Sequence, residues 1–363
     1  MSEECEVLVV GAGPVGLSAA LELQRLGRNL RIVDRNESHT GHSKAVAVNV
    51  KTLQLLEPAG LAERLVAAGI PIRAAALHFE GRRLTTLRIE PPADCRYPLL
   101  SLPQSETERL FEEVLGERGV AVEWGSELLS FEDDGQGVTA QLKTAEGEKT
   151  LRAAWLLGAD GGRSTVRRQL GLDFAGRRYE EQWSLADTTL DWPAVEQEIN
   201  LFMHRDGHIE FLVRLHGDRW RAISTAPGVL DRLPEGARAV EVHWQSDFHV
   251  ALRQVEAYRK GRCCLAGDAA HVHSPAGGRG MNLGIWDAVS FARRLEAGTL
   301  DGYDGERRPI GRKVLDFTDR LFAVAKSENP LVQQLRNRLL PVMAQTGFAR
   351  RRFSRNLLGL ADG

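Results

Sequence analysis

Between residues 5 and 34 the chain carries one local pattern that constrains everything after it. An apolar, β-rich run (Cys5 to Val10) leads directly into Gly11-Ala-Gly13-Pro14-Val15-Gly16. A stretch of good helix formers follows from Leu17 to Leu26, with Gly27 placed to stop it. A second apolar run, Leu30 to Val33, ends in Asp34. Strand, glycine turn, helix and strand form a βαβ unit, which demands a parallel pair and a crossover helix. In such a unit the first glycine permits a tight turn, the second lets backbone approach a pyrophosphate, and the third lets helix pack on strand. Unpaired N–H groups and the helix dipole then favour phosphate at the helix N-terminus. Asp34, 23 residues past Gly11, stands where a carboxylate accepts a hydrogen bond from an adenosine ribose hydroxyl. The fingerprint does not separate NAD from FAD, and only one copy of it occurs.

The chain has 363 residues, enough for two or three domains. Its 26% charged and 43% hydrophobic residues exclude a disordered, collagenous or coiled-coil protein. A net charge of -2 gives no global attraction to nucleic acid or to an anionic membrane, so no nucleic-acid partner is expected. Four cysteines without a C-x-x-C pair argue against a disulfide scaffold and for the cytoplasm. The N-terminus is acidic and lacks the basic start of a signal peptide. No run approaches the ~18–20 apolar residues of a membrane span. Glycine is the one excess, at 36 residues, and its placement carries the rest of the reading.

Further along, residues 70–104 are strand-like and punctuated by proline. Ser105-Glu-Thr-Glu108 has the pattern of a capping box before a helix. Residues 120–158 suggest short strands, the last feeding Gly158-Ala-Asp160-Gly161-Gly162. Strands return over 180–250, and helices dominate from 285 to the end. Strand 208–215 alternates, with Ile209, Phe211, Val213 and Leu215 on one face and His208, Glu210, Leu212 and Arg214 on the other. His271 and His273, without acidic or cysteine partners in sequence, suggest structural roles rather than a metal site.

Three later segments carry a family resemblance. Gly158-Ala-Asp160-Gly161-Gly162-Arg163-Ser164-Thr-Val-Arg167 resembles the DG motif of the group A FAD-dependent aromatic hydroxylases, the p-hydroxybenzoate hydroxylase-like family. Gly267-Asp268-Ala-Ala-His271-Val-His-Ser-Pro275-Ala-Gly277-Gly278-Arg279-Gly280-Met281-Asn282 resembles that family's second FAD motif. Ser43-Lys44-Ala45 and Lys51-Thr-Leu resemble its SRA…RTL region, and Gln104 matches a glutamine of the family pattern. The motifs occur in family order over roughly residues 5–310.

The resemblance implies an α/β chain, α+β overall: a Rossmann-like FAD-binding domain with an inserted, mainly antiparallel β-sheet substrate domain and C-terminal helices. The expected FAD segments are 1–70, 105–178 and 255–325, the substrate segments 71–104 and 179–254, and the helical tail 326–363. The residues implied in holding FAD are Gly11, Gly13, Pro14, Val15, Gly16, Asp34, Arg35, Lys44, Gln104, Asp160, Gly161, Arg167, Gly267, Asp268, Pro275, Gly278, Gly280, Met281 and Asn282. Asp268 is implied to bind a ribityl hydroxyl. Gly277, Gly278 and Gly280 would let backbone approach the ring, and the helix opening near Met281 would point its N-terminus at it. Asp160 and Arg167 would also touch NAD(P)H transiently.

By the same resemblance the activity is monooxygenation of an aromatic or polyketide-like molecule with NAD(P)H and O2, through a C4a-hydroperoxyflavin. The alternatives are epoxidation or Baeyer–Villiger oxygenation on the same fold, or a flavin-binding protein that sequesters an intermediate without turnover. No side-chain triad is demanded, so the pocket candidates are Arg214, Leu212, His208, Leu201, Pro275 and Arg279. The mixed face bearing Arg214 would turn toward the substrate, and Arg279 would place positive charge near the flavin. Many relatives have arginine at Lys44 and glutamine at Arg279. Oligomeric state, monomer or homodimer, is left open.

The tail, residues 331–363, holds six arginines against one acid, Asp362. A solvated basic helix packed on the FAD domain is the expected role, ahead of a membrane-surface helix. The resemblance points to a short family form without a C-terminal thioredoxin-like domain.

Overall fold

A computed structural model describes all residues except 1–2, 40, 42–43, 194–196, 275–276 and 362–363. Ser43 and Pro275 therefore lie outside the described residues. Its α/β architecture has three sheets. In the first, β1 (Glu3–Val10) is central, flanked in parallel by β2 (Leu30–Val33) and by β10 (Gly147–Gly158). Beyond β10 lie β17 (Cys263–Leu265), parallel, and β16 (Arg259–Lys260). The first half of β10 also pairs antiparallel with β9 (Val138–Thr144), which pairs with β8 (Glu127–Asp133). Parallel strands need cover on both faces, which is why Val7, Leu8, Val9, Leu156, Leu157, Cys263 and Cys264 are all buried.

The second sheet has eight strands in the order β18–β15–β11–β14–β13–β12–β5–β6. These are β5 (Ala74–Phe79), β6 (Arg82–Arg88), β11 (Phe174–Asp191), β12 (Ile199–Met203), β13 (Ile209–His216), β14 (Arg219–Ser224), β15 (Arg238–Val255) and β18 (His271–Val272). All neighbours are antiparallel except β12 with β5. A third sheet joins β3 (Ala47–Val48), β7 (Leu99–Ser101) and β4 (Ile70–Ile72). The segment 71–104 is thus divided: its middle enters the eight-stranded sheet, while its two ends pair with each other as β4 and β7, and β7 also pairs with 47–48. β11 and β15 extend the eight-stranded sheet outward to 174 and 255, beyond 179–254.

Nine helices complete the described chain: α1 (Pro14–Arg25), α2 (Val50–Leu56), α3 (Ala62–Ala68), α4 (Gln104–Glu117), α5 (Thr165–Gln169), α6 (Gly280–Glu296), α7 (Tyr303–Lys326), α8 (Pro330–Gln345) and α9 (Gly347–Leu357). α1 begins at Pro14, three residues before the sequence reading, because proline at the first helical position loses no hydrogen bond. Gly27, at φ +72°, ends the first crossover helix as expected.

The expected capping box fails. Helix α4 starts at Gln104 after Pro103, with no side-chain cap. Ser105 is already inside the first turn, and the Gln104 amide donates to Glu108 Oε1 at 2.7 Å. A proline-fixed entry moved the helix start ahead of the serine.

Helix α6 packs closely on α1. A Cβ on Gly284 would lie 2.5 Å from Val15 Cγ2, and one on Gly267 2.7 Å from the same methyl. Helix α7 crosses from the first sheet to the second, where Phe322 meets Trp183 and Tyr179 at ring-centre distances of 5.2 and 5.4 Å. No helix among the described residues is long and apolar enough to cross a membrane.

Candidate functional site

The three glycines of the first turn have different physical reasons. Gly11 has φ +102°, and a Cβ there would lie 2.4 Å from the Ala159 carbonyl oxygen. A Cβ on Gly16 would lie 1.8 Å from the Gly11 oxygen. Both are dictated by the fold. Gly13 has an ordinary φ of -73° and open space where its Cβ would be. Nothing inside the protein requires glycine there, so close approach of a ligand is the reason that remains. Helix α1 opens here with no side-chain cap, which leaves the N–H groups of Val15 and Gly16 directed at that space. Asp34 is fixed beside it: its Oδ2 accepts from the Ala12 N–H and its Oδ1 from the Asn36 N–H, each at 2.8 Å. Arg35, the next residue, is exposed.

Gln104 and Glu108 close this end from α4. Burial pushes the Glu108 carboxyl up to about 7, with the charges of Glu112 and Asp34 adding to the shift and the Gln104 amide opposing it.

The DG segment is held by its own side chains. Asp160 Oδ2 accepts from the N–H groups of Thr165 and Val166 at 2.6 and 3.2 Å, and Ser164 Oγ from Arg167 N–H at 2.9 Å. Asp160 Oδ1 is buried without a hydrogen-bond partner among the described residues, and burial raises this carboxyl's pKa. Gly161, at φ +77°, has open space above it. Arg167 turns inward: its guanidinium donates to the carbonyls of Ala269 and Gly162 at 3.0 and 2.8 Å and covers Phe174. It ties the DG segment to the Gly267 turn.

Asp268 is solvent-accessible yet surrounded by protein, so it lines a deep cleft rather than an outer surface. That crowding raises its pKa, against the pull of His271 and of Lys44. Lys44 stands 4.4 Å over the Phe248 ring, and desolvation lowers its pKa while Asp268 opposes the shift. The cleft therefore runs between the 44–47 loop, the Gly267 turn and the eight-stranded sheet.

Helix α6 begins with Arg279 at its N-cap and no side-chain cap, so the N–H groups of Met281 and Asn282 are not capped. The Asn282 side chain is saturated by protein: it accepts from Asn49 N–H and Thr52 Oγ1 and donates to the carbonyls of Ala47 and Gly278. It is a strut between two loops, and only its backbone is left for a ligand. A Cβ on Gly278 would lie 2.8 Å from Ala47 Cβ, so this glycine serves the same junction. Gly280 has His273 as its nearest neighbour, 3.7 Å from a hypothetical Cβ. Gly267 has a packing reason in Val15. Arg279 is 1% exposed, its guanidinium 5.9 Å from the ring centres of Trp286 and Phe317.

Sequence reasoning missed Asp287. This buried α6 carboxylate accepts from the Gly267 N–H at 3.1 Å and from Arg307 Nε at 2.7 Å, and lies 2.6 Å from His271 Nε2. Burial alone would raise its pKa, but Arg307 and His271 more than offset this and hold it low. The available signal was an aspartate in the middle of an otherwise apolar helical stretch. His271 is thereby accounted for by hydrogen bonding. His273 Nδ1 lies 2.9 Å from the Ser274 oxygen, and burial lowers its pKa to about 4.

The eight-stranded sheet turns a different face to the cleft than expected. Its register puts Trp183, Leu185, Asp187, Leu201, Phe211, Val213, Arg221, Ile223, Trp244 and Phe248 on one face. This face reaches the cleft, since Arg221 donates to the Ala45 carbonyl at 3.1 Å and Phe248 lies under Lys44. Arg221 also grips Asp187 with two hydrogen bonds of 2.7 Å. Leu201 is on this side. Leu212, Arg214 and His208 belong to the opposite side, a correction to the expected orientation. Leu212 packs with Trp220 and Val229, and the Arg214 guanidinium is 4.9 Å from the Trp220 ring. His208 pairs with Asp206 at 2.8 Å. Both faces of β13 are covered, so alternation could not reveal which one meets the cleft.

The cleft's features, namely uncapped helix N-termini, an unexplained glycine and an inward carboxylate, fit a dinucleotide with a flavin ring. Comparisons with known proteins agree. The family described as FAD binding domain matches residues 4–216 and 227–318. The chain is 36% identical over 374 residues to 6-methylpretetramide 4-monooxygenase of Streptomyces rimosus, covering 95% of this chain and 65% of that protein. It is 33% identical over 352 residues to pentachlorophenol 4-monooxygenase of Sphingobium chlorophenolicum, covering 89% and 65%. The chain thus spans slightly less than two thirds of the length of these relatives. Among solved structures, anhydrotetracycline hydroxylase from Streptomyces rimosus superposes with a TM-score of 0.82 at 31% identity, over 98% of this chain and 76% of that one. The chain belongs to the FAD-binding family of group A aromatic hydroxylases.

Proposed function

We propose that the chain is an NAD(P)H- and O2-dependent monooxygenase that hydroxylates an aromatic or polyketide-like molecule. The observation that carries this reading is the cleft-facing wall opposite the glycine turns. Leu201, Phe211, Trp244 and Phe248 present half-buried apolar and aromatic surface there, which suits a flat, poorly hydrated ring system. The buried charged pair on that face, Arg221 with Asp187, is internally satisfied. The relatives' names, a pretetramide and a chlorophenol monooxygenase, point to the same substrate class.

FAD, when bound, supplies the redox chemistry: it takes up hydride from NAD(P)H and activates O2. The chain's own residues bind and orient. The α1 N-terminus above Gly13 would hold the pyrophosphate, and Asp34 the adenosine ribose. Asp160 Oδ1 and Gly161 would line the middle of the dinucleotide. Asp268 would accept from a ribityl hydroxyl, and the first N–H groups of α6 would receive the polar edge of the ring. The sheet excludes water from above.

The test is turnover of FAD-loaded protein with phenols and polycyclic polyketides under isotopically labelled dioxygen. NAD(P)H consumption that rises with substrate, together with one labelled oxygen in a hydroxylated product, is expected. A lactone or epoxide product would replace hydroxylation by the corresponding oxygenation. Consumption that no substrate raises would overturn the monooxygenase reading.

A further inference from the structure

Helix α8 turns both polar and apolar residues inward. The Gln333 amide donates to the carbonyls of Arg205 and Ser327, Arg336 donates to those of Val324 and Ala325, and Leu340 and Ala344 pack with Leu77 and Leu87. Its outward face is apolar. Leu331 is 74% exposed, and Leu335 and Val342 are each 58% exposed. With the exposed Leu339 and Met343 they recur at three- and four-residue spacing, one stripe along the helix. Phe348, 76% exposed, continues the apolar surface onto α9. Scattered exposed leucines need no explanation, but a contiguous stripe marks an interaction surface.

Within α8 and α9 the charges have one sign. From Asn329 to Ala361 there is no aspartate or glutamate, against six arginines. Arg336 is buried, and Arg350 reaches Glu90. Arg338 is exposed beside Leu335 and Val342, and Arg351, Arg352 and Arg355 are exposed on the α9 face that carries Phe348. Strand β6, against which α8 packs, adds exposed Arg82, Arg83 and Arg88. The nearby acids lie outside α8 and α9: Glu80, Glu328 and Glu90, which Arg350 reaches.

We infer that α8 and α9 form an interfacial docking surface for an anionic lipid bilayer. The apolar stripe would enter the headgroup boundary, and the long arginine stems would keep their charges at phosphate level. A second copy of the chain suits this face less well. A two-fold contact centred on the stripe would set Arg338 against its own symmetry mate with no acid to pair it. An anionic surface satisfies both the apolar area and the charge.

The test is flotation of full-length, FAD-loaded protein with vesicles of phosphatidylcholine alone and of phosphatidylcholine mixed with phosphatidylglycerol. Binding to the anionic vesicles only, weakened roughly tenfold or more by high salt, is expected. The double variant Leu335→Glu/Val342→Glu should lose binding while keeping its FAD content and thermal midpoint. Arg351→Gln/Arg352→Gln should weaken binding roughly tenfold or more. Three results would overturn the proposal: no binding to either vesicle, equal salt-independent binding to both, or binding unchanged in the variants. So would a concentration-dependent dimer, seen by sedimentation velocity without lipid and abolished by Leu335→Glu, which would assign the face to a second copy.

Discussion

Gly13 and Gly16 stand three residues apart in one turn, yet their side chains are missing for opposite reasons. The contrast is testable. Gly13→Ala should fold with a thermal midpoint within a few degrees of the parent, since its Cβ meets nothing, while FAD affinity falls about tenfold or more. Gly16→Ala forces a Cβ to 1.8 Å from the Gly11 oxygen and should cost on the order of 3 kcal/mol or fail to fold, as read by urea unfolding. Glu108 offers a pH signature. Its folded pKa, about 7, is raised from 4.5, so the neutral acid is the form the fold prefers. That contribution is fully present below pH 4.5 and is lost as pH rises through about 7. Glu108→Gln should therefore be more stable than the parent at pH 8.5 by on the order of 2–3 kcal/mol, the gap closing toward pH 4.5. Matched unfolding curves across that range check it, and a gap independent of pH would contradict it.

At the scale of elements, α6 does more than present its N-terminus. Through Asn282 it fixes the 47–52 loop, through Gly284 it seats α1, and through Asp287 it holds the Gly267 turn, His271 and Arg307. Asp287→Asn leaves the buried Arg307 with only Glu306, at 3.6 Å, as counter-charge, and breaking a buried pair costs about 3–5 kcal/mol. Loss of stability and of FAD retention together is the expected result. In the eight-stranded sheet, Arg221 joins the cleft-facing wall to the Ala45 carbonyl beside Lys44. Arg221→Lys cannot keep both bonds to Asp187 and the one to Ala45. It should raise the fraction of NAD(P)H consumed without product, measured as the ratio of cofactor oxidised to substrate hydroxylated. Neither role shows in the sequence: the partners of Asp287 lie 16 to 20 residues away on other elements, and that of Arg221 at Ala45 lies 176 residues away.

For the whole molecule, α7 links the FAD-binding sheet to the substrate-side sheet through Phe322, 3% exposed between Trp183 and Tyr179. Phe322→Ala should cost about 3–5 kcal/mol, seen as a lower thermal midpoint. It should also raise protease sensitivity in α7 and α8, because the helices would lose their hold on the sheet. The same region sets the character of the surface. Arginines interleaved with apolar residues in the tail suggested a solvated basic helix ahead of a membrane-surface one, and the structure shows that Leu331, Leu335, Leu339 and Val342 form one exposed stripe.

The sequence by itself determined what rests on local geometry. The glycine turn, the strand and helix around it, Asp34 at the strand end, and the DG and Gly267-Asp268 turns are each specified by residues a few positions apart, because backbone conformation and helix ends are short-range properties. Tertiary structure alone decided which polar groups are left for a ligand. Asn282 and Arg167 are consumed by protein carbonyls and amides, Gly267 and Gly278 serve packing, and Arg214 belongs to the far side of its strand. Alternation marks two faces of a strand, but when both are buried the hydrophobic pattern is the same for each. Only the strands and loops packed against them distinguish the face that meets the flavin cleft from the face that meets the core.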